Sequence, residues 1–429
     1  MKMKIILFAV LISVLLLCGC EMRTVNQMYA PPKRSDDYYS LETVIHTSMA
    51  ELEYSAPVSG DNRQVIQTVD LNGDEVQECL LFAKGGSDQP LHILVFSMVN
   101  EEYVHWHTID LPGSAFDRVE YAPMDDAAGV EIIVGTQVSD QVTRSVSVFS
   151  FAEGEVKQLV TEDYVNFLTV DLNANEKHEL FVIHAGSGYL DRGIVELFSV
   201  NEGVVQRSGE QNLSETSDNL KRILVGQLAD GKSAVYVASA IDEDTLITDV
   251  FTLVDGAFTN VSQSSDSGTS VKTMRNYYVY AEDIDSDGIV ELPSLHEMRS
   301  IDKSWYGYDE KIIRWYSMTS DGEQIDRMFT YHNFVDQWYV EVDPSLADRV
   351  SVMAQGTVWD FYIWDGGRPI KVMTIHALTG QNREAQSTSN GRFVLHKTES
   401  TIYAASLDDD AQQYNYTRES VMRSFHVIQ

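Results

Sequence analysis

Three short segments of this 429-residue chain place oxygen-bearing side chains at alternate positions. They read Asp70-Leu-Asn72-Gly-Asp74-Glu-Val-Gln-Glu78, Asp171-Leu-Asn173-Ala-Asn175-Glu-Lys-His-Glu179 and Asp283-Ile-Asp285-Ser-Asp287-Gly-Ile-Val-Glu291. Alternate side chains of a tight loop can converge on its centre, which is the chemistry of a hard cation. Calcium takes about six to eight oxygens from carboxylates, amides, backbone carbonyls and water. Asp283, Asp285, Asp287 and Glu291 make the richest set, with Gly288 permitting the sharp bend. Asp70, Asn72, Asp74 and Glu78 offer a similar set, and Asp171, Asn173, Asn175 and Glu179 carry one carboxylate fewer, which predicts weaker binding. These are not EF-hand loops, because that pattern needs a bidentate Glu at its twelfth position and Leu81, Val182 and Ser294 stand there. The competing reading is that the Asp and Asn side chains cap turns by bonding to nearby backbone N–H groups.

Other residues carry weaker signals. His105-Trp106-His107 would set two imidazoles on one face of a strand, a zinc pair without a third ligand and more economically two surface histidines. Cys79 lies between Glu78 and Leu80-Leu81-Phe82, the setting of a buried strand residue and not of an activated thiol. No G-x-S-x-G or H-E-x-x-H motif occurs, and Gly85-Gly86 and Gly366-Gly367 are turn signals. No residue is assigned a catalytic role. The aromatic residues between 305 and 365 (Trp305, Tyr306, Tyr308, Trp315, Tyr316, Trp338, Tyr339, Trp359, Tyr362, Trp364) read first as strand core, and second as a platform for sugar or peptide.

The elements that must hold the loops follow from a repeat. Weaker copies, around Met124-Asp125-Asp126 and Gly226–Lys232, fall in phase with the three loops, so that copies begin at 70, 123, 171, 226 and 283. The two weaker copies lack the ligand set and are expected to keep their turns without metal. An alternating run and a turn recur inside the units: Ile93–Phe96, Val146–Phe149, Val195–Phe198 and Asp249–Phe251, each closed by an Asn-, Glu- or Asp-containing turn. About four strands per fifty residues is the pattern of a β-propeller blade, whereas a β-sandwich takes about 100 residues. The expected fold is mainly β: a propeller of at least five four-stranded repeats over 38–345, preceded by a short helix with Leu41, Val44, Ile45, Met49 and Leu52 at helical spacing. Residues 346–429 lack the loop and read as a small α+β module or an additional blade, ending in a helix capped by Thr417 and carrying Val421, Met422, Phe425 and Val427.

The loops and their flanking strands resemble the FG-GAP (VCBS-type) repeats of integrin-like propellers. The late DIDSDGIVELP segment and the N-terminus are also similar to lipoproteins of clostridia-like Gram-positive bacteria. The repeat resemblance covers roughly 60–345; it implies the propeller fold and structural calcium, and implies no enzymatic activity.

Residues 1–19 carry Lys2 and Lys4, then an apolar run from Ile5 to Leu17, which is a secretory signal too short for a membrane span of about 20 residues. Leu17-Cys18-Gly19-Cys20 resembles the bacterial lipobox, which implies cleavage after Gly19 and acyl chains on Cys20. Residues 20–37, with Pro31-Pro32 and no periodicity, then form a flexible tether. The expected location is the extracytoplasmic face of a membrane, held there by lipid. A net charge of −34 argues against nucleic acid and anionic headgroups as partners. The functional expectation is a non-catalytic binding or scaffold module for an extracellular protein or glycan. The alternatives are a surface enzyme acting on glycan or peptide, and a purely structural envelope protein.

Overall fold

The computed structural model describes residues 36–49, 51–86, 88–138, 144–151, 154–186, 191–201, 204–301 and 311–428. The signal segment, Cys20 and most of the tether lie outside these residues, as do Trp305, Tyr306 and Tyr308. The described chain is mainly β, in six antiparallel sheets that follow one another along the sequence. Helix α1 (Asp36–Ser48) comes first.

The first sheet pairs Glu78–Lys84, Leu91–Val99 and Glu102–Leu111 in order, and its leading edge is shared by Glu53–Tyr54 and Ile66–Val69. The second contains Ala115–Ala122, Glu131–Gln137, Arg144–Ser150 and Lys157–Tyr164. The third spans Asn166–Val170 to Val204–Asn212, and the fourth Leu220–Gln227 to Ala257–Asn260. The fifth runs from Glu291–Glu297 to Trp338–Val342, and the sixth from Val350–Gln355 to Thr401–Leu407, with Phe393–Lys397 on its edge. Apart from Glu53–Tyr54, which pairs with Glu78–Lys84, neighbouring strands within the first four sheets are consecutive in the chain, so local turns set the register.

Consecutive sheets pack face to face. Phe82 meets Phe116 edge-on at 5.2 Å between the first and second sheets, and Phe181 meets Phe251 at 5.6 Å between the third and fourth. Phe167 joins the second and third sheets, Tyr236 and Tyr316 the fourth and fifth. Tyr331 packs on Phe361 at 5.4 Å and Trp338 on Trp359 at 5.0 Å between the fifth and sixth. A strand covered on both faces needs apolar side chains at every position, not only at alternate ones. Glu78–Ala83 and Ser233–Ala240 accordingly are buried almost throughout, while the outer strand Val204–Asn212 remains largely exposed.

The outer face of the first sheet, Cys79, Leu81, Leu94 and Phe96, is covered by Leu41, Val44, Ile45, Met49 and Leu52 from and after α1, at the helical spacing read from the sequence. Among the described residues no hydrophobic cluster spans the first and sixth sheets. Helix α2 (Arg383–Ser387) packs on the sixth sheet. Residues 346–428 therefore supply a further sheet, and its core is continuous with that of the fifth.

Thr417 caps α3 (Arg418–Ser424) in a capping box with Ser420. The helix ends at Ser424, earlier than its apolar spacing suggests. Phe425–Val427 turn into a strand on the edge of the fifth sheet, where Phe425 stacks on Trp338 at 5.5 Å. The chain thus returns to the fifth sheet after building the sixth.

The aromatic residues of this region divide by burial. Trp315, Tyr316, Trp338 and Trp359 are core, while Tyr339, Tyr362 and Trp364 are half-buried. His332 lies between Phe334 (5.0 Å) and Tyr339 (4.8 Å) in a parallel stack. The Trp315 indole N–H donates to the Thr330 hydroxyl at 2.7 Å, and that hydroxyl shares a second hydrogen bond with His332 Nδ1 at 2.9 Å. Burial favours the neutral ring and pushes its pKa down to about 3. A depressed folded-state pKa makes this contribution complete above the unfolded value of about 6.5 and lost as pH falls toward 3. Chemical denaturation of the wild type and His332→Phe across this range should show the wild type losing stability relative to the variant below about pH 6.5, with a constant difference above pH 7. A pH-independent difference would contradict the assignment.

Candidate metal centre

The three acidic loops share one backbone path. Their fourth residues, Gly73, Ala174 and Ser286, have φ of 73°, 56° and 62°, and their sixth, Glu75, Glu176 and Gly288, have 69°, 67° and 88°. The first aspartate of each loop shapes this path. Asp70 accepts from the N–H groups of Gly73 (2.7 Å) and Glu75 (2.9 Å), Asp171 from Asn175 and Glu176, and Asp283 from Asp287 and Gly288 (both 2.9 Å). The third and fifth residues repeat the device: Asn72 accepts from Asp74 N–H, Asp74 from Val76, Asn173 from Asn175, Asn175 from Lys177, Asp285 from Asp287 and Asp287 from Ile289. Each of these side chains keeps further lone pairs, so turn capping and cation binding are compatible.

The ninth residue has a separate task. Glu78, Glu179 and Glu291 are buried, and each accepts a hydrogen bond from the backbone N–H seven residues upstream: Leu71 (2.9 Å), Leu172 (2.9 Å) and Ile284 (3.2 Å). Glu131, in the weaker copy at 123, does the same to Met124 at 2.7 Å. By spacing alone this acid is one more cation ligand. Its recurrence where the other ligands are missing gives it a structural role as well, and an acid at the ninth position of four copies was the available signal. Burial raises the pKa of all four carboxyls above the usual range, Glu291 up to about 7.

The loops differ in how their charges are balanced. In the first, Asn72 Nδ2 donates to Asp74 Oδ2 at 3.1 Å, and Ser97 donates to the second oxygen of Glu78 at 3.1 Å. In the second, Asn173 Nδ2 donates to Glu179 Oε1 at 2.5 Å. The third has Asp285 where the others have an amide, and an ionised carboxylate has no donor to offer. Carboxylate oxygens of Asp283, Asp285 and Asp287 lie within 4.8 Å of one another, a grouping of potential ligands found at this loop among the described residues. Burial and the charge of Asp287 raise the Asp285 pKa, and the fully buried Glu291 Oε1 has no hydrogen-bond partner. The hard oxygen donors and crowded negative charge of Asp283, Asp285 and Asp287 fit a calcium ion, while Glu291 lies outside their grouping.

The other candidates separate. A bulge in the pairing of the first sheet falls between His105 and His107. His105 Nε2 sits 2.8 Å from the Thr108 hydroxyl and His107 Nε2 2.9 Å from the Gly154 carbonyl, so the imidazoles do not share a site. Cys79 is buried, and burial pushes its thiol up to about 11, unsuited to nucleophilic work.

Successive loops nest along one end of the sheets. Gly129, at φ 97°, lies so close that a Cβ there would stand 2.2 Å from the Leu71 carbonyl oxygen. His178 N–H donates to Pro123 O at 2.7 Å, and Lys177 reaches Asp125 O. Gln227 exchanges backbone bonds with Gly288 and Val290.

No protein-family model matches the chain, and no curated protein matches it. Among solved structures the chain is similar to the crystal structure of an exotype rhamnogalacturonan lyase, YesX, with a TM-score of 0.28 and 13% identity. That alignment covers 75% of this chain and 65% of the lyase chain.

The shared path puts exposed Glu75 and Glu176 in the left-handed region, which costs a residue with a Cβ about 1–2 kcal/mol. Gly288 shows the unstrained solution at the equivalent position. Glu75→Gly should therefore stabilise the protein by up to about 1 kcal/mol, despite the extra freedom glycine adds to the unfolded chain. A lower denaturation midpoint in urea would refute the strain.

Proposed function

We propose that this chain is an exported, lipid-anchored binding scaffold whose stacked sheets form a propeller-type array braced by calcium at loop 283–291. The observation that carries the reading is the gathering of Asp283, Asp285 and Asp287, with Glu291 at the root of the same loop but outside that grouping. Asp283, Asp285, Asp287 and Glu291 would hold the ion, and loops 70–78 and 171–179 would be weaker sites, since their amides already balance part of their charge. A bound calcium ion supplies positive charge that offsets the crowded carboxylates. The chain's own residues supply the rest: Asp283 caps the turn, Glu291 fixes its root, and Gln227 ties it to the preceding loop. The result is a rigid rim and no chemical transformation.

Two measurements test the two halves of this reading. Extracellular modules of this kind bind calcium with a Kd on the order of 0.1–1 mM. Tenfold excess over Kd then adds about 1.4 kcal/mol to stability. Calorimetric titration and thermal melting should show saturable binding and a higher Tm, both much reduced in Asp285→Asn. Absence of binding up to about 10 mM, on the same scale, would leave the loops as turn caps. For the anchor, the chain expressed in a bacterial host should partition into the detergent phase, and Cys20→Ala into the aqueous phase. Equal partitioning of the two would remove the lipid from the account.

A further inference from the structure

In antiparallel sheets of consecutive strands the connections alternate between two ends, so the turns opposite the acidic loops form a second rim. Around 241–245, 274–278, 334–337 and 355–357 that rim encloses two adjoining hollows of about 960 and 1010 Å³, which share Asn276, Tyr277 and Phe334. Large apolar side chains are exposed here: Met274 49%, Tyr277 39%, Tyr278 41%, Phe334 39% and Val335 91%. Tyr277 and Phe334 touch at 5.6 Å, and Phe334 is held from behind by its stack on His332. Clustered exposure of this kind marks an interaction surface, since apolar residues scattered singly are the norm elsewhere.

Charge decides what the surface receives. The ionisable groups lining the second hollow are Asp242, Glu243 and Asp244, with no base among them. In the first, Glu297 and Asp336 stand against Lys311 and Arg275. The Arg275 guanidinium is buried and donates through Nε and Nη1 to the Val279 and Thr273 carbonyls and the Thr248 hydroxyl, with Nη2 left without a partner, so the first hollow is balanced in charge and the second is the acidic one. Carboxylates that line the same hollow as Tyr277, Tyr278 and Phe334 favour cations, which gain from both charges and rings.

We propose that this rim docks an extended segment of a partner protein in which apolar or aromatic side chains are flanked by lysine or arginine. Two hollows with one shared aromatic wall suit neighbouring side chains on a single backbone, and the acidic turn 242–244 pairs with the flanking bases. The inference rests on the reading of the chain as a binding scaffold and gives that scaffold a surface and a class of partner.

The test uses the full chain and a synthetic peptide of alternating leucine and lysine, roughly eight residues long, as the probe. Peptides of alternating serine and lysine and of alternating leucine and glutamate serve as controls. Saturable one-to-one binding of the leucine–lysine peptide is expected, weakened roughly tenfold or more by Val335→Lys and by Phe334→Ser. Val335 is nearly fully exposed, so its variant keeps the fold even if Phe334→Ser does not. A variant neutralising the exposed acids Asp408, Asp409 and Asp410, away from the rim, should bind like the wild type. Equal weakening by that variant, equal binding of the serine–lysine peptide, or no saturable binding would each overturn the proposal. Calcium-dependent melting of the same samples reports on the scaffold reading separately: intact calcium stabilisation without peptide binding sinks the docking site alone.

Discussion

The repeated structure depends on one interaction, a buried glutamate that reaches back seven residues to a backbone N–H. It occurs at Glu78, Glu131, Glu179 and Glu291, always on the first residue of a strand and always closing the loop before it. A carboxyl group excluded from water is costly unless it is hydrogen-bonded, and losing the partner would leave both the acid and the N–H unsatisfied. The loop is thereby held to one geometry, which sets how each strand leaves it and how the next sheet stacks. Ala234 occupies the equivalent place in the fourth sheet, and there the tie is made differently. Backbone bonds from Gln227 join its loop to the next, while fully buried Asp249 accepts from Ser214 N–H and from the Ser214, Ser270 and Asn260 side chains.

The loops show how one residue type can separate a self-sufficient turn from one that calls for a cation. Asn72 and Asn173 cap the turn with their carbonyl oxygen and give their N–H to a neighbouring carboxylate. Asp285 can do only the first. The same backbone path therefore carries an added negative charge and one fewer donor, with Glu291 Oε1 left unpaired. Burial, and after it the like charges of the neighbouring aspartates, holds the carboxyls of Asp285 and Glu291 above their usual range.

Much of this was legible in the sequence because it depends on local chemistry. Spacing of Asp, Asn and Glu located the loops, alternation located the hairpins, and Leu41, Val44, Ile45, Met49 and Leu52 located the helical packing on the first sheet. What escaped depends on contacts distant in the chain. Phe425 and Val427 fit a helical face, but the open edge beside Trp338 draws them into a strand. His105 and His107 fit one face of an ideal strand, and a bulge set by the partner strand removes the regularity. The ninth-position glutamate fits a ligand list equally well as a structural pin, and burial distinguishes the two. The second rim was not legible at all, since Asp242–Asp244, Tyr277-Tyr278 and Phe334-Val335 come from separate turns, each unremarkable alone.

The covering of the sheets' broad faces leaves the rims as the main exposed surfaces. Interior sheets are covered on both faces by their neighbours, and a strand such as Ser233–Ala240 is buried almost throughout as a result. The first sheet turns its remaining face to α1, and the sixth carries α2. Stacked repeats need such covers because a terminal sheet without one would expose an apolar face to water. With the broad faces consumed by packing, variation free of stability cost is concentrated in the connections. At one rim these connections are pinned by glutamates and nested against one another, which leaves little freedom to adapt to a partner. At the opposite rim the turns carry partly exposed Tyr277 and Phe334 and nearly fully exposed Val335, and the glutamate pins lie at the other end of the sheets. Under the docking proposal, these clustered apolar groups serve contact with another molecule.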